Sequence, residues 1–262
     1  MTPDTTAARL FISIDREGTH DHVAVEEPLE IRVRGNPLAV TMRTPGHDEE
    51  LALGFLVGEG FLDSSCPAPA AGPTLDFASN VVDVDADLRC EASPRRFYTT
   101  SSCGVCGKGA LEEIAVHASP LADGPTVDRS VLAALPERLV QPGFARTGGL
   151  HATGLFTADG ELLFAREDVG RHNAIDKVVG RALLEGLLPL HPLILCVSGR
   201  LSFELVQKAA VAGAPILVGV GAPSSLAVAV AADRSMTLCG FARRGDLNVY
   251  SGAERISCGA VA

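Results

Sequence analysis

Hydrophobic residues in the second half of the chain form two alternating kinds of pattern. Short apolar runs over 193–197, 216–220 and 236–239 are typical of strands that are buried on both faces of a sheet. Helical patterns over 202–212 and 225–233 separate these runs. This order predicts parallel strands joined by crossover helices, which lie on the faces of the sheet.

The residues before these runs predict a hairpin between two helices. Asp128 is expected to cap a helix that extends to about residue 140. Strand patterns over 150–157 and 161–166 flank the turn sequence Ala158-Asp159-Gly160. Apolar residues then recur at helical spacing over 175–183. Residues 126–262 are therefore predicted to form a three-layer α/β domain.

The first 125 residues are predicted to form a smaller, β-rich domain. One helix is expected to begin at Asp48, in an acidic first turn. The Pro-rich stretch 66–73 is interpreted as a loop or insertion. The boundary is placed near residue 125 because Ala-Asp-Gly-Pro at 122–125 interrupts the pattern. The predicted strands cover residues 10–14, 29–33, 38–42 and 81–84.

Composition restricts the class of partner. The chain has 262 residues, of which 47% are hydrophobic, so it can bury a large core. A net charge of −10 and an aromatic content of 5% disfavour nucleic acid as a partner. The balance of charge is −11 over residues 1–140 but +1 over residues 141–262. An anionic ligand is therefore expected in the second half.

The pattern also indicates a cytoplasmic protein that does not bind a membrane. The N-terminus has no basic segment followed by an apolar one, so no export signal is expected. The uncharged stretch 209–232 is interrupted by glycine and proline, which favours buried elements of a core over a membrane span. The seven cysteines are an odd number, and this favours a reducing compartment.

Ligand-binding residues are expected where the three predicted parallel strands end, because ligands of open α/β sheets bind there. The segments 198–200, 219–224 and 240–246 all contain glycine, and the first and last contain arginine. Exposed backbone N–H groups, helix N-termini and guanidinium groups suit phosphate or diphosphate. Ordinary turns would explain any one segment, whereas three together favour a ligand cleft.

Polar residues are also concentrated over 166–177, where a strand is expected to meet a helix. Arg171, His172 and Asn173 open a helix whose other face is apolar, so they would point toward the same cleft. The alternative is a solvated junction with a capping acid.

Cys103 and Cys106 are the only cysteines close together in sequence. A structural zinc site would need two further ligands, and none occurs at a suitable spacing. Redox or sulfur-transfer chemistry needs only the two thiols, and Lys108 together with a following helix would favour the thiolate. Inert structural thiols remain the alternative.

Several blocks of this sequence, in order from about residue 40 to 251, resemble the FdhD/NarQ family. One is Met-Arg-Thr-Pro-Gly at 42–46, followed by Glu-Leu-Ala-Leu-Gly-Phe-Leu at 50–56. The others are Cys-Gly-Val-Cys-Gly at 103–107, the polar segment 166–177, Ser-Gly-Arg-x-Ser-x-Glu at 198–204, and Gly-Phe-Ala-Arg at 240–243.

The resemblance implies a sulfur carrier for the maturation of formate dehydrogenase. Such a protein accepts persulfide sulfur from a cysteine desulfurase and transfers it to the molybdenum (or tungsten) bis-guanine-dinucleotide cofactor. The cofactor is bound as substrate, and no zinc is expected. The resemblance further implies a C-terminal domain similar in fold to cytidine deaminases. The implied partners are a cysteine desulfurase, apo formate dehydrogenase and a second copy of the chain in a homodimer.

The resemblance also assigns roles to residues. Cys103 is expected to carry the persulfide, and Cys106 to assist transfer or release. The family's cofactor loop corresponds to residues 241–246. Together with the predicted cleft, the expected cofactor-binding residues are Phe241, Ala242, Arg243, Arg244, Gly245, Asp246, Ser198, Gly199, Arg200, Arg171 and His172.

Two other classes of function compete with the sulfur carrier. A cofactor chaperone would hold the dinucleotide and dock on the apo-dehydrogenase, with the thiols incidental. A deaminase-like hydrolase is disfavoured because the chain has no His-x-Glu and has Ser102 where the zinc motif needs proline.

Overall fold

A computed structural model describes residues 10–73, 80–89, 121 and 124–257. In these ranges the fold is mixed α/β, as predicted. The helices are α1 (Asp48–Gly58), α2 (Arg129–Arg138), α3 (Pro142–Thr147), α4 (Arg171–Leu184), α5 (Phe203–Val211) and α6 (Ser225–Asp233).

The strands form four sheets in the described part of the chain. β1 (Phe11–Arg16) pairs with β2 (Thr19–Ala24), and β7 (Val127–Asp128) with β14 (Ile256–Ser257). A four-stranded sheet has the order β4-β3-β6-β5, with β3 (Glu27–Val33), β4 (Asn36–Arg43), β5 (Ala71–Pro73) and β6 (Val81–Val84). The largest sheet contains β8 (His151–Phe156), β9 (Leu162–Asp168), β10 (Ile194–Val197), β11 (Ile216–Gly219), β12 (Thr237–Arg243) and β13 (Asp246–Ser251).

The six-stranded sheet has the order β13-β12-β11-β10-β8-β9. β10, β11 and β12 are parallel, whereas β8, β9 and β13 run antiparallel to their neighbours. Alternate residues of each central strand face opposite layers. Cys196 and Val218 pack toward α2, while Leu195 and Leu217 belong to the core shared with α4, α5 and α6. The predicted three-layer arrangement is therefore confirmed.

The helices α1 and α4 join the two halves of the chain at a close crossing. A Cβ atom added at Gly54 would lie 1.8 Å from the carbonyl oxygen of Asp176, and one at Gly180 would lie 1.8 Å from that of Glu50. Only glycine allows the two backbones to approach so closely. One hydrophobic core consequently includes Leu51 of α1, residues of the four-stranded sheet, and Ile175 of α4. The domain boundary near residue 125 stays a prediction.

Two expectations about local structure were wrong. Ala71–Pro73, interpreted as part of a loop, forms the short strand β5, which pairs with β6. Strand β12 does not end at Cys239 but continues to Arg243. The strand β13, which was not predicted, pairs with β12 at the edge of the sheet. The two-residue turn Arg244-Gly245 has positive φ at both positions, 51° and 77°. This geometry connects antiparallel strands tightly, so 240–246 is a hairpin and not a loop after the last strand.

Candidate functional site

The loops after β10 and β11 are hydrogen-bonded to each other at the carboxyl edge of the sheet. The N–H of Gly221 donates to the carbonyl of Gly199 at 2.9 Å, and that of Leu201 donates to Ala222 at 3.0 Å. The Ser198 hydroxyl accepts from the N–H of Ala152 at 2.9 Å and so fixes the loop to β8. The predicted residues Ser198, Gly199 and Arg200 therefore lie together with the start of β8.

The segment from Phe241 to Asp246 joins this edge only at its first residue. The N–H of Phe241 donates to the carbonyl of Gly221 at 3.2 Å, and Phe241 has φ 54°, at a bulge between β12 and β13. A non-glycine residue at positive φ is uncommon and marks a constrained position. Phe241 is 39% exposed, so it is accessible to a ligand.

The rest of that segment forms the tip of the β12–β13 hairpin. Arg243, Arg244, Gly245 and Asp246 are exposed, and Ala242 is buried on the α2 side. Asp246 is 3.1 Å from the Arg129 guanidinium. The N–H of Leu247 and then Arg129 lower the pKa of the Asp246 carboxyl. Arg243 is therefore the last residue of β12, and Arg244 lies in the turn that forms the tip of the β12–β13 hairpin.

The first turn of α4 lies against the first turn of α5. The Nε2 atom of His172 is 3.4 Å from the Ser202 hydroxyl and 3.7 Å from a carboxylate oxygen of Glu204. Burial, reinforced by the charge of Arg171, lowers the pKa of His172 to about 4, although Glu204 opposes the shift. His172 is therefore neutral at pH 7 and is available as a hydrogen-bonding group.

Several polar residues of 166–177 other than Arg171 and His172 are held in buried ion pairs and hydrogen bonds. Asp168 is fully buried and is 2.7 Å from the ammonium of Lys177. It also accepts from the backbone N–H groups of Thr44 and Gly170. Asn173 points to β4, where it donates to the carbonyl of Met42 at 2.7 Å, so the expectation that Asn173 faces the cleft was wrong. Most of this segment fixes α4 to the first half of the chain.

His151 is a residue at this edge that sequence reasoning missed. It is the first residue of β8 and pairs in register with Asp168 of β9. A Cβ atom at Gly199 would lie 3.4 Å from its Nδ1 atom, which places the imidazole against the loop after β10. The pKa of His151 is lowered, first by burial and then by the charges of Arg171 and Arg200. The charge of Asp168 opposes this shift.

The cysteines that the structure describes differ in their exposure to solvent. Cys103 and Cys106 lie outside the described residues, so their roles stay predictions. Cys196 and Cys239 are fully buried, and burial raises the pKa of both thiols, that of Cys239 to about 12. Cys66 is exposed. In the described ranges, no three His, Cys, Asp or Glu side chains are grouped as metal ligands.

The described helices also include none that is both long and apolar enough to cross a membrane.

The fold and this edge define a class: an α/β protein with glycine-containing loops at the carboxyl ends of the parallel strands of its largest sheet. The model of the FdhD/NarQ family matches residues 24–257, and the chain belongs to this family.

Named relatives agree with this assignment. The chain is 53% identical to the sulfur carrier protein FdhD of Streptomyces coelicolor, over 90% of this chain and 89% of that protein. It is 49% identical to the sulfur carrier protein FdhD of Nocardia farcinica, over 98% of this chain and 96% of that protein. A crystal structure of a formate dehydrogenase accessory protein from Desulfotalea psychrophila superposes with a TM-score of 0.74 at 28% identity, and covers 94% of this chain and 97% of that one.

Proposed function

We propose that the chain is a sulfur carrier for formate dehydrogenase maturation. It accepts persulfide sulfur from a cysteine desulfurase and transfers it to a molybdenum or tungsten bis-guanine-dinucleotide cofactor, which it binds as substrate. The observation that carries this proposal is the identity of about half of all residues with proteins named sulfur carrier protein FdhD, over nearly the whole chain. The alternative, a cofactor chaperone without sulfur chemistry, would leave Cys103 and Cys106 without a role.

Sulfur acceptance is a thiol–persulfide exchange. The Cys103 thiolate attacks the outer sulfur of the desulfurase persulfide, the bond between the two donor sulfurs breaks, and the desulfurase cysteine leaves as a thiolate. Cys103 then holds the sulfur as Cys–S–SH, and no external oxidant or reductant is needed. Cys106 assists transfer or release of that sulfur.

The burial of other thiols supports this choice. A thiol acts as nucleophile only as its thiolate, and burial keeps Cys196 and Cys239 protonated at neutral pH. Cys66 is the exposed thiol among the described residues, so it is the natural control.

The cleft supports the delivery half of the proposal. A bis-guanine dinucleotide carries two diphosphate groups, and guanidinium groups such as those of Arg171 and Arg200, whose charges both act on His151, suit such groups. Phe241 offers an exposed ring at the same edge. The hairpin residues from Ala242 to Asp246 complete the expected cofactor-binding segment, in which Arg243 and Arg244 contact phosphate.

The test is intact-mass analysis after incubation with a cysteine desulfurase and cysteine. Wild-type protein is expected to gain the mass of one sulfur atom, which a reductant removes, because one thiolate undergoes exchange. Cys103→Ala should lose the gain, and Cys66→Ala should retain it. A full gain in Cys103→Ala that disappears in Cys66→Ala or Cys106→Ala would contradict the assignment.

The chaperone alternative is separated by a second measurement on the same variants. Cys103→Ala should bind GDP like wild type, because docking and sulfur exchange use different groups, while Arg243→Ala should bind it about tenfold more weakly. Nucleotide binding without any mass gain in the wild type would favour the chaperone. Homodimerisation, a cytoplasmic location, docking on apo formate dehydrogenase and the absence of zinc are further parts of the proposal, and metal analysis tests the last.

A further inference from the structure

Three side chains that carry or can take up positive charge converge at the carboxyl edge of the six-stranded sheet. His151 begins β8, Arg171 begins α4, and Arg200 follows β10. The imidazole of His151 lies against Gly199, and Arg200 packs over the loop after β11, where a Cβ atom at Gly221 would lie 3.0 Å from its Cγ atom. The charges of Arg171 and Arg200 both act on His151. Three separate elements thus bring two guanidinium groups and a titratable imidazole together.

The Nε atom of Arg171 lacks the carboxylate partner that the Nε atoms of Arg43 and Arg166 have. This Nε atom is buried and has no hydrogen-bond partner among the described residues. By contrast, Arg43 donates to both carboxylate oxygens of Asp48, and Arg166 donates to both oxygens of Glu50. Burying an N–H donor without an acceptor is costly, so the vacant donor of Arg171 indicates a ligand acceptor.

Two protein carboxylates lie near the three side chains. The charge of Arg171 acts on Glu204, which is half exposed and also lies 3.7 Å from His172. Asp168 faces His151 across the β8–β9 pair, but its own charge is balanced by Lys177 at 2.7 Å. The first turn of α4 adds positive potential, since it has neither a side-chain cap nor an acidic residue. The first turn of α6 differs, because the Ser224 hydroxyl accepts from the N–H of Ala227. The cluster therefore attracts an anion.

We propose that His151, Arg171 and Arg200 form the subsite for one diphosphate group of the guanine dinucleotide, and that His151 takes up a proton from solvent when the diphosphate binds. The dinucleotide as ligand rests on the proposed function. In the free protein, burial and then Arg171 lower the pKa of His151, with Arg200 adding to the effect against Asp168. A bound diphosphate supplies negative charge beside the same ring, which raises that pKa and favours protonation.

The sign of the pH dependence follows from this linkage. If the pKa of His151 is higher in the complex than in the free protein, binding takes up protons and strengthens as the pH falls toward the pKa of the free protein. A rise of about one pKa unit corresponds to at most about a tenfold gain in affinity. The effect belongs to His151, so it should disappear when that residue cannot titrate.

The experiment is isothermal titration of the full-length protein with diguanosine diphosphate at pH 6 and pH 8. This probe contains two guanosines joined by an internal diphosphate that has no group titrating in this range. Wild type is expected to bind about three- to tenfold more tightly at pH 6. Repeating the titration in buffers of different ionisation heat should reveal proton uptake. His151→Gln should remove the pH dependence and the uptake, and Arg171→Gln should weaken binding about tenfold or more.

His191→Gln is the matched control, because His191 is exposed and precedes β10 at the opposite edge of the sheet. It should bind like wild type at both pH values. Pronounced pH dependence in His151→Gln, or unchanged affinity in Arg171→Gln, overturns the inference. Absence of binding to wild type overturns the dinucleotide part of the proposed function as well. The sulfur-dependent mass gain at Cys103 is read separately, so failure of this subsite is distinguishable from failure of the sulfur carrier.

Discussion

Helix α4 carries charged residues in two places that differ in their surroundings. At its first turn, Arg171 lies at the sheet edge with its Nε atom unpartnered in the described structure. About one and a half turns further on, Asp176 and Lys177 are buried, and each faces an opposite charge. The paired charges hold elements together, whereas Arg171 keeps a buried Nε donor without an acceptor. One short segment of sequence thus serves both architecture and ligand binding.

The paired charges connect α4 to three other elements. Lys177 contacts Asp168 of β9, at 2.7 Å. Lys208 of α5 is 2.9 Å from Asp176 and 3.1 Å from Glu59, the residue that follows α1. Desolvation makes a buried pair a weak net contributor to stability, but removing one partner leaves a buried charge. The comparison therefore predicts large stability effects at the paired residues and small ones at Arg171.

The largest effect is expected for Lys177→Met. The substitution retains a long apolar side chain but leaves Asp168 as a fully buried carboxylate without its cation. We expect the free energy of unfolding at pH 7 to fall by about 3–5 kcal/mol, measured by urea denaturation. Arg16→Met removes one partner of an exposed pair and should change it by less than about 1 kcal/mol. A loss for Lys177→Met as small as that of Arg16→Met would show that Asp168 does not depend on Lys177.

The next effect is the pH dependence of stability that Asp176 causes. Burial raises the pKa of Asp176 from 3.8 to about 7 although Lys208 opposes the shift, so the folded protein retains a proton that the unfolded chain releases. Stability from this group is therefore lost as the pH rises from about 4 to about 7. Between pH 5 and pH 7.5, wild type should lose about 2 kcal/mol of unfolding free energy relative to Asp176→Asn.

The matched control for Asp176 is Asp159→Asn, in the exposed turn between β8 and β9. Its pH profile should parallel that of wild type. Lys208 does not interfere in this range, because its neighbouring carboxylates raise its pKa against burial, and it stays charged. Parallel profiles for wild type and Asp176→Asn would mean that Lys208 keeps Asp176 ionised.

Much of the fold could be predicted because its elements have regular patterns. The runs over 193–197 and 216–220 are apolar throughout, and a strand buried on both faces has that pattern. Strand β13 was not predicted because only Leu247 in it is fully buried, so its hydrophobic and polar residues do not alternate clearly. The turn gave only half of the usual signal: Gly245 suits a tight hairpin, whereas asparagine, aspartate or glycine, and not arginine, is favoured before it.

The site was predictable only in part, because sequence does not show which polar residues are paired. Residues 166–177 contain several charged groups, and only three-dimensional distances separate the buried pairs from Arg171. His151 gave no signal at all, because a single histidine at the start of a strand is ordinary. Its role depends on Gly199 and Arg171, which are distant in sequence. The placement of Cys103 and Cys106 stays a prediction from the motif.

The smallest effect on stability is expected for Arg171→Gln, and its direction sharpens the comparison. A cation in the first turn of a helix faces the positive end of the helix dipole, and Arg171 also lies near His151 and Arg200. Removing its charge should therefore raise the free energy of unfolding by about 0.3–1 kcal/mol, although dinucleotide binding weakens. Arg171→Lys keeps the charge and should leave stability near that of wild type. A loss of more than about 2 kcal/mol in Arg171→Gln, measured by urea denaturation, would place Arg171 among the structural charges, because only a residue that stabilises the free protein produces such a loss.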